Sequence, residues 1–130
     1  MIHNYPEHLE YISNLMGELG KGIPQTMGCF SRLHEKASQT GALDVKTKEL
    51  IALGIAIAIR CDGCIAFHVN DALTAGATED DILETIGVAI LMGGGPAGVY
   101  GCEAWEAVQQ FKEKAAARSN GKSNGHSNGN

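Results

Sequence analysis

The residues that could do chemistry lie in the run Cys61-Asp62-Gly63-Cys64-Ile65-Ala66-Phe67-His68, with Glu49 twelve positions ahead of Cys61. On a helix, positions i, i+3 and i+7 fall within about 60° of one face. Cys61, Cys64 and His68 would then form one stripe of two thiols and an imidazole. Thiols at i and i+3 can close a disulfide when the first lies in the loosened turn at a helix start. Each sulfur also has a reason to ionise. Cys61 would stand at a helix N-terminus, where free N–H groups and the dipole favour a thiolate. Cys64 precedes His68 by one turn, and the imidazole could take its proton. The residues alone do not choose the nucleophile.

Glu49 has two readings, the polar start of an apolar helix or a member of the site. A single straight helix would hold it about 18 Å from Cys61, at ~1.5 Å per residue. To reach the cysteines the chain must turn near Ile59–Asp62, or a neighbouring subunit must supply the carboxylate. Arg60-Cys61-Asp62-Gly63 is the natural place for such a turn.

Glu49, Cys61, Cys64 and His68 could also be four zinc ligands, but structural zinc thiols usually sit on a knuckle rather than a helix. A redox dithiol is the better fit. Ile65 in place of histidine excludes covalent haem attachment. No metal or cofactor is expected. Cys29 and Cys102 stand alone among apolar or small residues and read as buried structural thiols. His34 reads as a surface or subunit-contact histidine, Trp105 as core or interface, and His3 and His8 carry no signal. Gly93-Gly94-Gly95-Pro96-Ala97-Gly98 contains a formal G-x-G-x-x-G, yet it lacks the preceding strand that dinucleotide binding needs. It reads as a helix stop and a close-packed turn whose small residues could leave room beside the thiols.

The elements that must position these groups are helical. Leu9, Ile12, Leu15, Met16 and Leu19 recur at spacings of three and four, giving a helix over about 7–19. Pro24 opens a second, to Gln39, with Met27, Phe30, Leu33, His34 and Ala37 on its inner face. Asp44 caps a third. Its run from Leu50 to Ile59 alternates like a strand in part, but its length and alanines favour a helix buried on most sides. A fourth covers about 61 to 74, closed by Gly76. Thr78 caps a fifth, with Asp81 three residues on and Glu79 and Asp80 at the positive end of the dipole. A sixth runs from about Ala97 to Ala117, with Val99, Trp105, Val108 and Phe111 on its apolar side. The expected fold is all-α, a compact domain of about six helices over residues 1–117. The Ser-Asn-Gly repeats of 118–130, His126 among them, have nothing apolar to bury and should be disordered.

The 130 residues suit a single domain. The net charge is −5, and the body is more acidic still once Arg118 and Lys122 are set aside, which argues against a general nucleic-acid binder. The start of the chain has no secretory pattern, and the longest apolar run is about half the ~20 residues that cross a bilayer. A cytoplasmic protein without membrane contact is the expectation. An all-round apolar third helix needs more cover than six helices provide, so a homo-oligomer is expected.

Glu-x11-Cys-x-x-Cys-x-x-x-His, set between an Ala/Ile-rich helix and Asn70-Asp71-Ala72-Leu73, resembles the alkylhydroperoxidase D-type (AhpD-like) branch of the carboxymuconolactone decarboxylase family. Ala75-Gly76-Ala77-Thr78-Glu79-Asp80-Asp81-Ile82 and Gly93-Gly94-Gly95-Pro96 extend the likeness over roughly residues 20–112. The resemblance implies an all-helical trimer or hexamer that reduces hydroperoxides. Cys64 would attack the peroxide, Cys61 would resolve the sulfenic acid as a Cys61–Cys64 disulfide, and Glu49 and His68 would form the proton relay. A lipoyl or thioredoxin-like dithiol protein would restore the thiols. The best-known peroxidases of that branch carry a histidine just before the second cysteine, where this chain has Gly63. Their relay then lacks a link unless water or His68 replaces it. A protein-disulfide reductase, or a redox-sensing or metal-binding helical oligomer, is the alternative. Decarboxylase chemistry fits poorly, because that branch generally lacks the cysteine pair.

Overall fold

The computed structural model describes residues 3–123, and every regular element among them is helical. In chain order these are α1 (Tyr5–Gly22), α2 (Pro24–Ser38), α3 (Val45–Ala58), α4 (Asp62–Thr74), α5 (Glu79–Gly93) and α6 (Gly95–Ser123). The all-α, six-helix expectation holds. The caps expected at Asp44 and Thr78 are present. Asp44 accepts from the N–H of Thr47 at 2.8 Å, and Thr78 and Asp81 form a reciprocal capping box. Asn4 caps α1 by accepting from the N–H of Glu7.

Two helix ends set the topology. After α3 the N–H of Arg60 donates to the Ile57 carbonyl and that of Cys61 to the Ala56 carbonyl. This is the paired bonding of a Schellman turn, with Arg60 in the left-handed region at φ 62°. The same pair follows α4, from Gly76 to Leu73 and Ala77 to Ala72, with Gly76 at φ 95°. Each turn reverses the chain in three or four residues, so α3 packs along α4 and also against α5. α6 closes the other side of the bundle, against α5 and α4, while α1 lies across α4 and α6.

Leu53, Ile57, Ile65, Val69, Ile82 and Val108 are fully buried, with alanines 56, 66, 72, 89, 97, 104 and 107 between them. Small residues let the helices approach closely. A Cβ on Gly101 would come within 2.7 Å of Ile86 Cγ2, and one on Gly93 within 2.7 Å of the Ala97 Cβ. The glycine run 93–95 is a helix stop and close-packed turn, as expected, with Gly94 at φ 70°. Trp105 packs partly buried against the core.

The front of α1 is held from α6. The Tyr5 N–H donates to Gln110 Oε1 at 2.8 Å, Gln110 Nε2 donates to the His3 carbonyl at 2.8 Å, and Tyr5 Oη donates to Glu103 Oε2 at 3.1 Å. Burial, then the charge of Glu103, pushes the Tyr5 hydroxyl well above its ordinary range.

Several faces differ from the periodicity. α2 buries no residue; Phe30 and Leu33 are exposed, because only α1 and α3 flank the helix. On α1, Leu9, Ile12 and Met16 turn inward while Leu15 and Leu19 are exposed. Val99 of α6 is exposed as well. The third helix is not buried on most sides within one chain. Leu53, Ala56 and Ile57 face the core, whereas Ile51, Ile55 and Ile59 form an exposed stripe. Cys29 and Cys102 are exposed, not the buried thiols expected, since each sits on a helix face that no neighbour covers. The last helix continues to Ser123, past the point where a structureless tail was expected to begin. Extending a formed helix costs far less than starting one, so weak formers such as Ser119 and Asn120 can be carried along. Residues 124–130, with His126, lie outside the described residues. Among those described, no helix is long and apolar enough to cross a membrane.

Candidate active site

Cys61 is the N-cap of α4, and its Sγ accepts a hydrogen bond from the Cys64 N–H at 3.2 Å. The two cysteines are joined as a disulfide, with Cα atoms 5.2 Å apart. The Schellman turn at Arg60 presents Cys61 in extended conformation just before the helix, which is the loosened geometry an i, i+3 disulfide requires. When this bond opens, the sulfur at position 61 faces the free N–H groups of a helix start, a setting that stabilises a thiolate.

The same turn brings Glu49 back along α4 within its own chain. Its Oε2 lies 2.8 Å from His68 Nδ1, with the Glu49 side chain 7 % and the His68 side chain 22 % exposed. A buried carboxylate on Nδ1 fixes the ring and leaves Nε2 for a second partner. Both cysteines and His68 open onto one cleft of about 570 Å³, whose far walls are Ile12 and Met16 of α1 and Phe30, Ser31 and His34 of α2. Glu49 stands behind His68, in the wall of an adjoining hollow.

The cleft also holds Asp71, one turn beyond His68, which the sequence reading passed over. Its spacing extends the stripe to i, i+3, i+7 and i+10, and that continuation was the available signal. Burial, and then the charge of Glu49, raise the Asp71 carboxyl above its ordinary range. Glu49, His68 and Asp71 offer three ligand atoms within 4.8 Å of one another. The four-residue zinc set is not assembled in this form, because both sulfurs are spent in the disulfide. His34 is exposed, yet it lines the cleft. The glycine turn at 93–98 does not line it; the space beside the thiols is made by α1 and α2.

Gly63 also lines the cleft, between the two cysteines. A Cβ placed there would stand 3.8 Å from Nε2 of His8, on α1. On the other side of the chain, Asp62 has a buried Oδ1 without a partner among the described residues. Its neighbour Glu103 is raised above its ordinary range, mainly by burial and also by the Asp62 charge, against the hydrogen bond from Tyr5.

The comparisons with known proteins agree with this architecture. Residues 24–107 match the model of the carboxymuconolactone decarboxylase family. An uncharacterised protein of Cupriavidus necator is 38% identical over 96 residues, covering 74% of this chain and 85% of that protein. Uncharacterized protein 4 in the cox locus of Paracoccus denitrificans is 36% identical over 99 residues, covering 76% and 89%. Among solved structures, an apo carboxymuconolactone decarboxylase family protein of Legionella pneumophila superposes with a TM-score of 0.80 at 42% identity, covering 82% of this chain and 96% of that one. A family member from Thermotoga maritima gives 0.76 at 27% identity, covering 85% and 94%. Six helices, the matched span and relatives on both counts lead to one assignment: the chain belongs to the carboxymuconolactone decarboxylase family.

Proposed function

We propose that the protein is a thiol-dependent peroxidase that reduces organic hydroperoxides through Cys64 and Cys61. The observation that carries this reading is the 2.8 Å contact between Glu49, buried on α3, and His68, which stands on the α4 stripe that bears the disulfide. The carboxylate steadies the positive charge His68 gains on taking the Cys64 proton. The Cys64 thiolate attacks the outer peroxide oxygen; an S–O bond forms, the O–O bond breaks, and the alkoxide leaves as alcohol with a proton. The Cys61 thiol then displaces water from the Cys64 sulfenic acid and closes the disulfide. A dithiol reductant, such as a lipoyl or thioredoxin-like protein, returns both thiols. The apolar walls given by Ile12, Met16, Phe30 and Phe67 suit a peroxide with an organic tail. The Thermotoga maritima relative carries a suggested link to the antioxidative response, in keeping with this reading.

Self-association belongs to the same proposal. Ile51 and Ile55 of α3, Ile59 just after it, and Val88, Leu91 and Met92 of α5 are exposed, and a second copy of the chain would cover them.

The test is direct. Reduced protein freed of reductant receives one equivalent of cumene hydroperoxide, and free thiols are counted as the 61–64 peptide is mapped by mass. Rapid loss of two thiols with a Cys61–Cys64 disulfide, abolished in Cys64→Ser at unchanged stability, is expected. Thiols untouched by peroxide but oxidised by lipoamide would replace peroxidase activity with disulfide exchange.

A further inference from the structure

Reduction of a peroxide by a dithiol moves two electrons and two protons, and the Glu49–His68 pair accounts for one proton acceptor, one turn beyond Cys64. Cys61 lies at the opposite end of the stripe, where α1 crosses α4. His8, Ile12 and Met16 follow one another at spacings of four and share a face of α1. Ile12 and Met16 line the dithiol cleft. His8 heads that face, with its Nε2 3.8 Å from where a Gly63 Cβ would stand. The bare backbone at Gly63 leaves the approach to the middle of the Cys-Asp-Gly-Cys turn open to this imidazole. The bonds that Tyr5 donates to Gln110 and Glu103, and that Gln110 donates to the His3 carbonyl, anchor α1 just ahead of His8. Of the other titratable groups around the cleft, His68 is held by Glu49, while His34 and Asp71 line its α2 wall and the far end of the α4 stripe, beyond His68 from Cys61.

We propose that His8 is the second proton acceptor of the dithiol site, taking the thiol proton of Cys61 as that sulfur attacks the Cys64 sulfenic acid. This rests on the peroxidase reading above. The S–S bond forms, the Cys64 S–O bond breaks, and the oxygen departs as water with the proton that His8 returns. Two imidazoles, one on α4 and one on α1, thus serve the two thiols in turn.

The experiment separates the two steps. Reduced wild-type protein and His8→Gln are mixed with one equivalent of cumene hydroperoxide; dimedone traps the Cys64 sulfenic acid, and mass mapping follows the disulfide. A positioned general base is worth about 10²–10⁴-fold, part of which water replaces at a half-exposed site. His8→Gln should therefore form the sulfenic acid at the wild-type rate but close the disulfide at least about tenfold more slowly. Gly63→His in the His8→Gln background should restore closure, since a side chain from position 63 enters the same space, and free imidazole should partly restore it in His8→Ala. Closure at the wild-type rate in His8→Gln overturns the proposal. So does a slowing that neither Gly63→His nor imidazole relieves. If wild-type protein ignores peroxide, the peroxidase reading fails by itself, and lipoamide becomes the oxidant. Resolution of the Cys64 mixed disulfide must then show the same tenfold defect in His8→Gln, and a normal rate overturns the role of His8 there too.

Discussion

Replacing Glu49 by glutamine keeps the shape of a side chain that is 7 % exposed and removes only its charge. The amide oxygen can still accept from His68 Nδ1–H across the 2.8 Å contact. What is lost is the difference between a charge-assisted hydrogen bond, about 1.5–3 kcal/mol, and a neutral one, about 0.5–1.5 kcal/mol. That difference of about 1–1.5 kcal/mol corresponds to a roughly five- to fifteen-fold slower reaction of Cys64, if the pair acts when His68 takes the proton. Glu49→Ala loses the whole bond and should slow the reaction roughly ten- to hundred-fold. The assay is the second-order rate of Cys64 oxidation by cumene hydroperoxide under single-turnover conditions, with urea melts run alongside. In a His68→Asn background the Glu49→Gln change should cost little further, because the partner is already gone. Equal rates for wild type, Glu49→Gln and Glu49→Ala would refute the reasoning. So would full additivity with His68→Asn.

Two further outcomes concern stability. Asp71 holds its proton to higher pH in the folded chain than in the unfolded one, mainly through burial and then through Glu49. Folding therefore takes up a proton, and stability falls as pH rises from the ordinary aspartate range through the raised folded value. Asp71→Asn should be more stable than wild type in urea at pH 7, with the advantage vanishing in acid below the ordinary range; no gain at pH 7 would contradict this. Thr78→Ala removes the cap bond from the Asp81 N–H at 3.1 Å. It should cost about 1 kcal/mol and lower Tm by roughly 4 °C in a thermal melt.

Helix order was legible because caps and stops act locally. Asp44, Thr78 and Gly76 sit where their side chains, or the lack of one, suit the local backbone. The turn that could return Glu49 to the dithiol was legible for the same reason. Exposure was not. Phe30 and Leu33 follow the helical period, yet α2 lies on the outside of the bundle, and which face finds a neighbour is decided by the other helices. Cys29 and Cys102 were misplaced for that reason, as were Leu15 and Val99. Asp71 was written in the spacing and passed over because carboxylates on helices are usually solvated. His8 could not be read at all. It meets Gly63 from another helix, with no sequence periodicity linking positions 8 and 63.

The three-residue reversal after α3 gives the interval between Glu49 and Cys61 the character of a ruler. Nothing in thiol chemistry asks for eleven intervening residues; that number is set by the climb of α3 from Glu49 and the reversal at Ile59–Arg60. One residue added to the reversal would rotate α4 by about 100° relative to α3 if its axis stayed fixed, swinging His68 away from the carboxylate while leaving both helices intact. One residue removed would do the same in the other sense. The Glu-to-Cys interval is therefore a measurement of a folded hairpin, and it ties the chemistry of α4 to the length of the reversal that joins it to α3.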